Sequence, residues 1–137
     1  MPHLSLLQPQ EIEVFFILPA LRREFAMAMK LEGYSQKRIA QLLGITEPAV
    51  SQYLNAKRAT KVNFPPALKK TIGEASKRIV DERTLIRETQ QLLVEARKQF
   101  ITCKLHEELV PSLKNCRVCM DENTIIHVGN TSISQLR

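Results

Sequence analysis

Residues 36–54, QKRIAQLLGITEPAVSQYL, constrain this chain more than any other stretch. Ser35 is placed to cap a helix that Gly44 closes, and Thr46 to cap a second helix with Pro48 in its first turn. Two short helices joined by so few residues must cross steeply. Ala40 then has to be small, because the second helix passes close over it, and Gly44 supplies the backbone freedom of the turn. Ile39, Leu43, Ile45, Val50 and Tyr53 fall where they turn inward and hold the pair together, while polar residues occupy the other face.

Charge gathers around the same stretch. The 137-residue chain carries a net charge of +6, with a pI near 9.5. Residues 21–72 hold ten Lys and Arg against three Glu, a net of +7, so the remainder is close to neutral. A basic module joined to a neutral one points to an anionic partner. The longest apolar run, VFFILPAL, is too short for a membrane span of roughly 18 residues. No secretion signal is legible, and three cysteines cannot all pair, so the chain is expected in the cytoplasm without a disulfide framework.

Residues 36–54 resemble the helix-turn-helix of the lambda-repressor-like (Cro/CI-type, XRE) DNA-binding domain, and the likeness runs from about residue 20 to 75. The whole chain also looks like a group of small transcriptional regulators common in archaea, in which such a module precedes a helix and a cysteine-containing segment. The resemblance implies that the second helix enters the major groove of double-stranded DNA. Carried over by position, Glu47, Ser51 and Gln52 meet base edges, with Asn55 beyond; Gln pairs with adenine and Glu accepts from cytosine. Pro48 departs from the usual polar residue and implies an apolar contact there. Ser35, Gln36, Thr46, Lys57 and Arg58 are placed to hold phosphates, which orient the protein without reading sequence. Arg22, Arg23, Lys37 and Arg38 either add to that field or are simply solvated. RNA recognition fits less well, because aromatic residues make up 5% and include no Trp.

Elsewhere the pattern is helical. QEIEVFFILPAL can begin a short helix, with Pro19 near the first turn of the next, which Gly33 ends. AKRATKVNFPP reads as a basic loop before a further helix. From Asp81 the chain is almost free of helix breakers and predicts one long helix ending at Pro111. Ile79, Ile86, Leu93 and Phe100 recur every seven residues, widened by Leu85, Leu92 and Ala96. That period suits a seam between two chains, giving a homodimer that spans two half-sites, although Glu82 and Thr89 weaken its second row. The competing reading packs the stripe on its own chain. The tail after residue 120 reads as a brief strand or as lacking fixed structure.

All three cysteines fall in CKLHEELVPSLKNCRVC, residues 103–119. Cys103 and His106 lie three apart on a helix, Cys116 and Cys119 form a short knuckle, and Pro111 lets the chain turn back between the pairs. Three thiolates and an imidazole complete a tetrahedral set for Zn2+; they equally suit an iron–sulfur cluster. Spacing leans to structural zinc, whereas position at the end of a dimer helix leans to a sensing cluster. Inert buried thiols, a Cys116–Cys119 redox pair, and a set completed by His127 in place of His106 are the alternatives.

No glycine-rich phosphate loop or nucleophile–base–acid set is evident, so no enzyme is expected. The expected architecture is all-α: a helix-turn-helix domain over residues 1–75, then a long dimerisation helix and a Cys3His metal-binding segment over residues 76–137. The expected function is a dimeric DNA-binding transcriptional regulator with a metal centre that senses redox or iron state. The alternatives are the same DNA binder with a purely structural zinc, and a helical adaptor that binds a protein.

Overall fold

The computed structural model describes residues 8–120, and among them every regular element is helical. The elements are α1 (Pro9–Ile12), a π-helical turn (Glu13–Ile17), α2 (Leu18–Leu31), α3 (Gln36–Leu43), α4 (Glu47–Leu54), α5 (Pro66–Ser76), α6 (Glu82–Lys98) and α7 (Ile101–Leu109), followed by short 3-10 turns at Pro111–Leu113 and Val118–Met120. The expected strand or unstructured tail lies outside the described residues. None of the described helices is long and apolar enough to cross a membrane.

Two helix boundaries differ from the sequence expectation, each for a local reason. Pro19 falls in the first turn of α2 as expected, but no break separates α2 from the helix before it. The chain stays helical from Pro9 to Leu31, and the turn before the proline widens to π geometry, with Leu18 N–H reaching Glu13 O. Proline has no N–H and its ring crowds the carbonyl four residues back; an expanded turn is how a helix passes it. The long helix from Asp81 is, in turn, two helices. Asp81 caps α6 as expected, its carboxylate accepting Thr84 N–H at 2.8 Å. The run then breaks at Gln99 and Phe100, where Phe100 takes a left-handed conformation (φ 58°). That conformation costs a non-glycine residue about 1–2 kcal/mol. The break turns α7 onto α1 and buries Thr102 and Leu105.

α2 is the centre of the molecule and packs on α3, α4 and α5. Its buried Leu21, Phe25 and Met29 meet Ile39, Leu43, Val50, Tyr53, Leu68 and Ile72 in one apolar core. Leu92, Leu93 and Ala96 of α6 and Leu105 of α7 belong to the same core, as does Ile79. Much of the heptad stripe is therefore spent inside its own chain; full burial of each Leu stabilises the fold by about 1.5–3 kcal/mol. Ile86, in the middle of the stripe, is 61% exposed, and Phe100 39%. A bidentate ion pair reinforces the closure: Arg97 donates to buried Glu13 at 2.5 and 2.7 Å, tying the end of α6 to the π turn.

Candidate nucleic-acid interface

The turn between α3 and α4 forms as its residues predict. Ser35 Oγ accepts Arg38 N–H at 3.1 Å and Thr46 Oγ1 accepts Ala49 N–H at 3.2 Å, so both hydroxyls are N-caps. Gly44 sits at φ 63°, and Ile45 N–H returns to Ala40 O at 3.1 Å, closing α3 in a left-handed cap. A Cβ on Gly44 would meet no neighbour within 4 Å, so the backbone angle rather than crowding calls for glycine. Ile39, Ala40, Leu43, Val50 and Tyr53 are buried and Ile45 half-buried.

The face left outside is polar. Glu47, Pro48 and Gln52 are exposed and Ser51 half-buried along α4, one helical stripe open to solvent. Gln36 begins α3 at its end away from the turn, and Thr46 stands before α4 at the turn itself; each helix N-terminus carries unpaired N–H groups and a positive dipole end. Asn55 caps the far end of α4, donating to Ser51 O at 2.9 Å and to Ser51 Oγ at 3.3 Å. These bonds hold the side chain back along its own helix. Lys57 and Arg58 follow, both exposed, and the Arg58 guanidinium lies 5.6 Å from the centre of the Tyr53 ring, which steadies it beside α4.

One basic residue of this region takes neither of the places expected for it. Arg23, expected as a phosphate contact or a solvated charge, is buried. Its guanidinium donates to Ala59 O, to Val62 O at 2.8 Å and to Glu24 Oε1 at 2.8 Å. It thereby pins the basic loop, in which Ala56 and Ala59 both take positive φ. The loop held in this way presents Lys57, Arg58 and Lys61 to solvent. Ala20 and Ala26, three residues to either side and both buried, are the signal that could have revealed it, because small neighbours leave room for a long side chain against the core.

Residues 25–63 match the family model described as helix-turn-helix. This segment is a helix-turn-helix domain of the lambda-repressor-like kind. No curated protein and no solved structure matches the chain. The helix-turn-helix domain is a DNA-binding module of transcription regulators and not an enzyme fold, and its match ends just before α5, so α5, α6 and α7 lie beyond it.

The cysteine segment lies on the other half of the chain. Cys103, His106, Cys116 and Cys119 line one small cavity, of about 20 Å³, together with Glu107, Leu113 and Met120. His106 is buried on α7 and the three thiols are partly buried. Burial pushes the Cys103 thiol up to about 12, and Cys119, within hydrogen-bonding reach, and Cys116 add to the effect. Among the described residues no three such side chains are already drawn into a ligand set.

Proposed function

We propose that this chain is a sequence-specific regulator of transcription that reads the major groove through α4, with Glu47, Ser51 and Gln52 as base readers. One observation carries this reading: the solvent-facing stripe of α4 is polar and ends in the clamped basic loop of Lys57, Arg58 and Lys61. Base readers and phosphate holders thus lie along one helix and the loop that leaves it, the division of labour that groove recognition requires. Pro48, exposed in the first turn of α4, contributes an apolar contact of the kind a thymine methyl accepts. Ser35, Gln36 and Thr46 present helix N-termini to phosphates.

A mobility shift on the DNA upstream of its own coding sequence, with a salt titration, tests the reading. The expected result is a steep loss of affinity with salt together with a preference for one sequence that persists after the electrostatic part is screened. Binding that ignores sequence at every salt concentration, or no binding, defeats it; the second outcome would favour a helical adaptor for a protein partner.

The finer reading adds a second copy of the chain and a metal centre. One module covers few base pairs, so two chains spanning two half-sites one DNA turn apart suit such a reader. With Ile79, Leu92, Leu93 and Ala96 spent within the chain, Ile86 is the stripe residue most open to a partner. Sedimentation of the free protein and of its DNA complex tests the pairing: two chains per site are expected, and one chain per site rejects it. The metal centre rests on Cys103, His106, Cys116 and Cys119 gathering at one cavity, with zinc and an iron–sulfur cluster as the two candidates from sequence. A sensing role would act through α7, which packs on α1 and joins α6.

A further inference from the structure

Resting on the metal reading above, we propose that Cys103, His106, Cys116 and Cys119 take up one soft divalent ion of zinc's class, not a multi-iron cluster, and that this ion fastens residues 111–120 to α7. Three observations carry it.

The first is room. The four side chains come from two stretches separated by Pro111 and converge on a cavity of about 20 Å³. A single water needs roughly 10–15 Å³ of such space. That space is of the order of one ion or one water, and smaller than a cluster of several irons and sulfides.

The second is spacing. Cys103 and Cys119 are close enough for their side chains to hydrogen-bond. Two thiolates on one tetrahedral zinc, each about 2.3 Å from the metal, stand about 3.8 Å from each other. Two thiols within hydrogen-bonding reach can be drawn to that separation by side-chain rotation. Full ligation requires side-chain rotation, since no three donors yet share a centre. Each thiol passes its proton to solvent as it becomes a thiolate ligand.

The third is what otherwise holds the segment. Neither 3-10 turn buries a residue. A link back to α7 is the hydrogen bond from Asn115 N–H to Glu107 Oε1 at 3.1 Å, itself exposed. Leu113 is half-buried and lines the cavity with Met120, so the apolar contact with α7 is small. An ion bridging Cys116 and Cys119 to Cys103 and His106 adds a cross-link to this slight apolar contact.

The test uses the full chain, purified without oxygen and analysed for metal and acid-labile sulfide, then stripped, kept reduced and titrated with Co2+. The expected result is zinc without sulfide as purified, and one Co2+ per chain with the visible bands of a tetrahedral, thiolate-ligated ion that Zn2+ displaces. Cys116→Ser, a change in the surface segment that leaves the helical circular dichroism intact, should weaken Co2+ binding by at least about tenfold. Iron with sulfide as purified, no stoichiometric uptake of Co2+, or an unchanged spectrum and affinity in Cys116→Ser would each overturn the proposal. DNA affinity measured on the same preparations separates the readings: DNA binding without ion uptake removes the ion site alone, and ion uptake without DNA binding removes the regulator reading alone.

Discussion

The guanidinium of Arg23 donates to the carbonyl oxygen of Val62 at 2.8 Å, across 39 residues of sequence. A second donation, to Ala59 O, closes the clamp on the loop that carries Lys57, Arg58 and Lys61. A charge buried in α2 thus positions charges that face solvent. Arg23→Met keeps the apolar stem but leaves two carbonyls without their donor. The expected loss of stability is about 1–3 kcal/mol, seen as a lower denaturant midpoint. DNA affinity should also fall with no change in preferred sequence. A variant with the same midpoint and affinity as the parent would show that the loop holds itself.

Base readers and phosphate holders should separate in their response to salt. Gln52→Ala is expected to cost about 1–3 kcal/mol on the preferred site and little on unrelated DNA. Lys57→Ala should weaken both alike and make the salt slope shallower by about 0.9. Titrations of each variant on both DNAs over a range of salt concentrations measure this. If Gln52→Ala loses affinity equally on the two DNAs, Gln52 does not read sequence.

Gly44 is needed for its backbone angle and not for space, because a Cβ there is unobstructed yet φ is 63°. Gly44→Ala should therefore destabilise by about 1–2 kcal/mol, and Gly44→Asn by less, since asparagine tolerates the left-handed region. Thermal melts of the three proteins rank them. Equal melting of the alanine variant and the parent would mean that the turn relaxes to another conformation.

Buried Glu88 gives stability a pH dependence. Burial would raise its pKa, but the hydrogen bonds and charges of Arg78 and Arg87 outweigh burial and hold it below the usual 4.5. A lowered folded-state value means that the contribution is present above about pH 4.5 and fades as pH falls through the folded value. Asp81, the α6 cap, is lowered by its hydrogen bonds from Thr84 and acts in the same sense. Denaturation midpoints from pH 7 down to pH 3 should fall less steeply in Glu88→Gln than in the parent, although the variant starts lower. Parallel curves would assign the acid sensitivity to other carboxylates.

Capping and turn chemistry were legible in the residues because they are local. Ser35, Thr46 and Asp81 each bond a backbone N–H three positions on, and Gly44 serves its own turn, so nothing distant decides them. Pro19 was legible as a disturbance but not in its outcome. Whether a helix stops at a proline or widens past it depends on what the next turns bury, here Ile17, Ala20 and Leu21. The break at Phe100 left no sequence signal, since no glycine or proline marks it. It goes with α7 finding burial against α1, a contact spanning about two thirds of the chain in sequence.

The sequence alone determined a helix-turn-helix with its caps, its inward residues and its polar outward stripe, because short-range hydrogen bonds and the 3.6-residue period specify them. It also announced the cysteine–histidine spacing. Only the tertiary structure decided that Leu92, Leu93 and Ala96 are spent within the chain, that Arg23 is a clamp, and that Cys103, His106, Cys116 and Cys119 meet at one cavity. Periodicity says that a face is apolar and composition says that a residue is charged. Which surface covers that face, or which carbonyl meets that charge, depends on contacts between residues far apart along the chain, and packing alone settles them.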